Sequence, residues 1–184
     1  MAGARRERDI HAATLELLTE VGYDGLTIEG VAARSGVNKT TIYRWWPSKD
    51  ALLGSAMVEA DVLAIRLPDT GSLRGDLESL LRQIAALLTG PDTSPVVTAL
   101  LGAATHRPEL GEVVRRFFAD RLGRELPMFE RAVRRGELRD GVDPATVMDL
   151  LAGAVWVRAL LRGQPPRPAY VRETVDLVLR GCTS

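Results

Sequence analysis

The sequence predicts an all-α protein built in two parts. Apolar residues recur at three- and four-residue steps, as in Ile10, Ala13, Leu17, Leu18 and Val21, the period of one helix face. No segment shows the strict apolar–polar alternation of a half-buried strand. Gly- and Pro-containing breaks ("YDGLT", "LPDTGS", "TGPDTSP", "HRPE", "RDGVDP" and "GQPPRP") punctuate the chain at helix-length intervals.

Each element follows from these signals. Gly22 ends a first amphipathic helix. Thr27 caps a second, "IEGVAARSG", which Gly36 breaks. Asn38 caps a third, "KTTIYRWW", which Pro47 stops. Ser48 caps a fourth through about Arg66, with Leu52, Leu53, Ala56, Met57 and Ala60 on one face. Beyond the Pro, Gly and Ser of 67–72, helices are expected at 73–89, 93–105, 108–136, 144–162 and 168–181. Pro127 should kink or divide the third of these. The domains read as 1–47, a connecting helix over 48–67, and a helical bundle over 68–184.

Composition narrows the functions available. At 46% apolar and 26% charged residues, the 184-residue chain buries a real core. The apolar runs at 96–104 and 150–157 reach only about half the length of a membrane span. "MAGARRERDIHAATLELL" carries charge through its amphipathic part, unlike a secretory leader. Cys182 is the one cysteine, so no intrachain disulfide forms, and a reducing cytoplasm is the expected location.

Net charge is zero, which taken alone argues against a nucleic-acid partner. The distribution argues otherwise. Both lysines of the protein, Lys39 and Lys49, fall with Arg44 between Ser35 and Lys49, where there is no acid. A local basic patch steers DNA even when the global field is flat.

Residues 28–46 fit a helix-turn-helix. Ala32 is small enough for two short helices to cross, Gly36 tolerates the positive φ of the sharp turn, and Val31, Val37 and Ile42 supply a core. The third helix then presents Lys39, Thr40, Thr41, Tyr43 and Arg44, groups able to reach base edges and phosphates. Trp45 and Trp46 point about 100° apart on a helix, so they cannot share one role. Trp46, four residues from Ile42, is read as core against the first and fourth helices.

With "TIYRWWPSK" added, "LTIEGVAARSGVNKTTIYRWWPSKDALL" resembles the DNA-binding domain of the TetR family of bacterial transcriptional regulators. The resemblance lies in motifs from Ile10 to Leu53 and is architectural beyond, where "RGELRDGVDP" resembles a recurrent family junction. It implies a homodimer with three N-terminal DNA-binding helices, a connecting fourth helix, and a C-terminal bundle that dimerises and binds a small-molecule inducer. Carried onto this chain, it places Asn38, Lys39, Thr40 and Arg44 toward the major groove, and Thr27, Thr41, Tyr43 and Lys49 on phosphates. Trp45 rests on the DNA backbone or packs. Glu29 would repel phosphate and is expected to turn away.

The remaining helices make a bundle large enough for a cavity. Phe117, Phe118, Met128, Met148 and Trp156 are candidates to line it, although aromatic and Met residues at helical spacing also make plain core. Arg158 would pair with an acidic inducer or with an acid across a dimer. "ATVMDLLAGAVWVRALLRG" and "AYVRETVDLVLRG" supply either an isologous dimer interface or internal core. No cofactor or metal is expected. With no His-Glu-x-x-His, no Gly-rich phosphate loop and no Gly-x-Ser-x-Gly, the chain does not read as an enzyme. The reading is a dimeric repressor, released from a pseudo-palindromic operator by an inducer. The alternative is a helical small-molecule-binding or protein-interaction module without DNA binding.

Overall fold

A computed structural model describes residues 2–59 and 63–182, among which nine α-helices and no strand form. They are α1 (Ala2–Gly25), α2 (Ile28–Ser35), α3 (Lys39–Trp45), α4 (Lys49–Glu59), α5 (Leu73–Thr89), α6 (Ser94–Ala104), α7 (Pro108–Arg134), α8 (Pro144–Trp156) and α9 (Pro168–Cys182). The last turn of α8 widens into a π turn over Val157–Leu161.

Caps placed from sequence form as hydrogen bonds. Thr27 Oγ1 accepts from Gly30 N at 3.0 Å, Asn38 Oδ1 from Thr40 N at 2.9 Å, and Ser48 Oγ from Ala51 N at 3.1 Å. Each satisfies one of the amides that a helix start leaves without an internal partner.

Four features differ from expectation. Gly22 kinks α1 (φ 68°, ψ 177°) rather than ending it, and one more turn follows to Gly25. Val21, just before the kink and expected on the buried face, is exposed. The fourth helix was expected to reach about Arg66. It is helical to Glu59, Ala60 lies outside the described residues, and residues 64–66 are not helical. There the Gln83 side chain accepts from Arg66 N at 2.8 Å and donates to Arg66 O at 2.9 Å, replacing helical partners.

Pro127 does not divide α7, which runs unbroken to Arg134. It stops there because Gly136 adopts φ 70° and Glu137 N returns to Ala132 O at 3.0 Å. Finally, Pro144–Leu161 forms an 18-residue apolar stretch, long enough by composition for a span and longer than the run counted from sequence. Asp149 and Arg158 interrupt that run, and the stretch packs against α5 and α9 with Val147, Leu151 and Val155 buried.

The helices gather into two compact units. The first holds α1–α4, α6 and α7 as far as Phe118; the second holds α5, the rest of α7, α8 and α9. In the first, Ile10, Leu18, Leu26, Val31, Ile42, Leu52 and Leu53 form the core. Within it α6, which the sequence assigns to the 68–184 segment, buries Val96 and Leu100 and packs on α1. Gly54 of α4 meets Val113 of α7 so closely that a Cβ there would lie 3.0 Å from Cγ1.

In the second unit Leu77, Leu80, Leu81, Met128, Leu151 and Val175 are buried. Buried Asp76 accepts from Thr70 N and Oγ1 at 2.6 and 2.8 Å, and its Oδ2 lies 3.8 Å from Arg131 Nη2. Arg131 also donates to Pro68 O at 3.1 Å, so 68–70 are tied to this unit.

The Gly36 turn is the backbone test of this architecture. At φ 69°, with nothing within 4 Å of an added Cβ, Gly36→Ala changes only backbone strain. It should destabilise by about 1–2 kcal/mol. Gly123→Ala, on a helix with equally open space, should stabilise by about 0.5–1 kcal/mol. Urea midpoints moving in opposite directions would confirm both.

Candidate nucleic-acid interface

A buried pair, Val31 of α2 and Ile42 of α3, fixes the two short helices together across the Gly36 turn. With Ile42 inward, Thr40 and Arg44 project roughly opposite it at about 100° per residue, and both are exposed, as are Lys39 and Tyr43. Thr41 is half-buried. Asn38 spends its carboxamide oxygen on the Thr40 backbone and, at 2.7 Å, on the Thr40 hydroxyl. That oxygen belongs to the cap, while the side-chain amide remains on an exposed residue.

The two tryptophans part company. Trp46 leaves the helix as its C-cap and is 7% exposed, its ring 5.2 Å from that of His11 on α1. Trp45 is 37% exposed and meets Trp46 edge-on at 5.5 Å. His11 Nε2 in turn lies 3.1 Å from Ser55 Oγ of α4. Burial lowers its pKa from the ordinary 6.5, against the opposing pull of Glu7 and Glu59.

Two of these side chains have partners within the fold. The Lys49 ammonium, expected on phosphate, donates to Tyr23 O at 2.9 Å and Leu26 O at 3.3 Å and sits 4.1 Å from the Tyr23 ring centroid. The end of α1 leaves carbonyls without helical partners, and a cation nearby satisfies them first. The Tyr23 hydroxyl donates to Asp50, and burial together with that carboxylate raises its pKa. Glu29 finds a partner on the next helix. Its Oε1 lies 3.8 Å from Lys39 Nζ, both side chains being 59% exposed.

The expected ligand residues fall in both units. Met128 and Met148 are buried and Trp156 is half-buried in the second. Phe117 and Phe118 belong to the first, their rings 5.5 Å apart and nearly perpendicular. The Arg158 guanidinium stacks 4.1 Å from the Tyr170 ring centroid, while its buried Nε makes no hydrogen bond. Tyr170 donates to Ala154 O at 3.1 Å, so the stack is anchored on α8. A cleft of about 600 Å³ lies in the first unit between α1 and α6, with His11, Leu15, Glu59 and Val96 on its walls. None of the six expected residues lines it.

The sequence reading missed Glu125, which is 5% exposed in the second unit. It follows the buried step of Met128, Phe129 and Ala132 on α7, and an acid in register with that stripe was the available signal. Among the described residues no cluster of three or more His, Cys, Asp or Glu is arranged to hold a metal ion.

Comparison with known proteins places this architecture. The family profile "Bacterial regulatory proteins, tetR family" matches residues 10–56, and "Tetracyclin repressor-like, C-terminal domain" matches 67–178. The chain belongs to the TetR family. It is a helix-turn-helix transcriptional regulator with an N-terminal DNA-binding region and a C-terminal helical region. It is 35% identical over 182 residues to the DNA-binding transcriptional repressor TetR of Mycobacteroides abscessus, covering 96% of this chain and 93% of that one. To the HTH-type transcriptional regulator YdeS of Bacillus subtilis it is 32% identical, covering 97% and 92%. The crystal structure of the TetR family transcription regulator SCO0332 superposes with a TM-score of 0.76 at 37% identity, covering 97% of this chain and 98% of that one.

Within this TetR-family chain, Glu125 should govern part of the pH response. Burial pushes its carboxyl from 4.5 up to about 7, against the opposing pull of Arg121. The folded state therefore holds a proton that the unfolded state has released, and stability is lost as pH rises between those values. Glu125→Gln should gain stability relative to wild type as pH rises from about 5 to about 8, measured by urea denaturation across that range.

Proposed function

We propose that this chain is a homodimeric repressor that sits on a pseudo-palindromic operator and is released when a small molecule binds its C-terminal helices. The observation that carries the reading is the exposed face of α3, where Lys39, Thr40, Tyr43, Arg44 and Trp45 stand on a helix whose other face is buried. Lys39 and Arg44 are suited to guanine, Asn38 and Thr40 to base edges, and Thr27, Thr41 and Tyr43 to phosphates that set register. Trp45 would rest against the backbone, and Lys49 would act mainly by holding the α1–α4 junction. On this reading 1–47 binds DNA, the helix after Ser48 connects, and 68–184 binds ligand and dimerises. The protein is cytoplasmic and not an enzyme.

The dimer reading is supported by an uncovered apolar stripe. Leu150, Val157 and Leu161 follow one another on α8 and its π turn, and Leu177 stands on α9, which packs against α8. Leu161 is 81% and Leu177 71% exposed, costly as permanent solvent contacts and suited to a two-fold four-helix bundle. The coupling reading is supported by α7, which supplies residues to both units and meets α4 at Gly54. A coupling of about 1–3 kcal/mol suffices for a 5–150-fold change in operator affinity.

Selection of bound sequences from random duplex DNA tests the assignment. Wild type should enrich an inverted repeat with half-sites about 34–36 Å apart, and Tyr43→Ala/Arg44→Ala should not, with unchanged helical circular dichroism. No enrichment by wild type would favour a ligand- or protein-binding module. Leu161→Glu/Leu177→Glu should sediment as a folded monomer where wild type sediments as a dimer.

A further inference from the structure

We propose that Glu29 and Lys39 act as one reading unit, the lysine donating to a guanine and the carboxylate accepting from a cytosine in the same or the adjacent base pair. This rests on the DNA-binding face proposed above. The two side chains come from different helices, Glu29 from the first turn of α2 and Lys39 from the first residue of α3. They meet across the turn at 3.8 Å with both ends in solvent.

The fold gains little from this contact. An ion pair so exposed is screened by water and often adds nothing measurable to stability. The first turn of α2 is already capped by Thr27, and α2 is held to α1 by Arg34, whose two nitrogens reach Glu20 at 2.7 and 2.6 Å. Against phosphate, Glu29 is a disadvantage on every sequence, because it repels the backbone and offsets the charge of Lys39.

A base edge is where such a dyad fits. The major-groove edge of guanine offers the acceptors O6 and N7, and the cytosine paired with it offers the N4 amino donor beside them. An ammonium and a carboxylate held side by side present the complementary order, donor then acceptor, and match it in one orientation. On other sequences the lysine stays neutralised by its partner. Glu29 thus lowers affinity for DNA in general and raises discrimination at one position per half-site.

Sequence selection with wild type, Glu29→Ala, Glu29→Gln and Lys39→Met tests this. Wild type should show a cytosine–guanine preference at one position per half-site. Glu29→Ala should relax the cytosine preference there by roughly 5- to 100-fold, leave the other positions unchanged, and bind random duplex more tightly. Lys39→Met should lose the guanine at the same or the adjacent pair. Glu29→Gln should likewise lose cytosine, since its amide lacks the anionic acceptor pair. If Glu29→Ala kept every base preference and altered only overall affinity, the dyad would be overturned and Glu29 would be a solvated charge. If wild type enriched no inverted repeat at all, the DNA-binding face itself would fall, an outcome distinct from the loss of one position.

Discussion

The burial of Ile42 is the constraint on which the DNA-facing surface depends. At seven residues α3 is far shorter than the roughly 12–15 needed for a helix to persist in water, so packing must hold it. Ile42 supplies that packing, with Val31 opposite on α2 and Trp46 closing the C-terminal end against His11. Gly36, at φ 69°, ends α2 and lets the chain turn within the three residues before α3, so the two helices share that small core. The orientation of Thr40 and Arg44 is then a consequence of where Ile42 points.

Charge is partitioned in the same economical way. The chain is neutral overall, and several of its cations are committed to the fold: Arg34 to Glu20, Arg107 to Asp24, and Lys49 to the carbonyls that end α1. These bonds join α1 to α2 and α4, and tie the start of α7 to α1. The basic groups presented by α3 are Lys39 and Arg44, with Glu29 beside the first. A neutral total is therefore compatible with a regulator that binds DNA, because the charge available to a partner is set locally.

The second unit is held differently. Its polar contacts close the start of α5, where Asp76 receives Thr70, Glu137 receives the Leu73 amide, and Arg131 reaches Pro68. Beyond these, Arg74 of α5 pairs with Asp176 of α9 and Tyr170 donates to Ala154 O, while α5, α8 and α9 pack through apolar side chains. Glu125 on α7 is a buried acid whose charged form burial disfavours. Helix α7 supplies residues to both units, the Gly54 contact at Val113 falling in the first and Met128 in the second.

Helix existence and most caps were legible in the sequence, because a three-and-four apolar step and a Thr, Asn or Ser before it act over a few residues. Ends set by distant groups were not: Gln83 captures Arg66 from 17 residues away, and Pro127 passes through α7 undivided. The same division holds for the site. Local chemistry named the α3 residues, and the family resemblance extended them to Thr27. That Lys49 turns to Tyr23 and Leu26, that Glu29 meets Lys39, and that Glu125 is buried depend on residues brought together by folding. Sequence alone determined which side chains each short helix offers. Only the tertiary structure decided which remain available, because a charge takes whichever partner the packing places nearest.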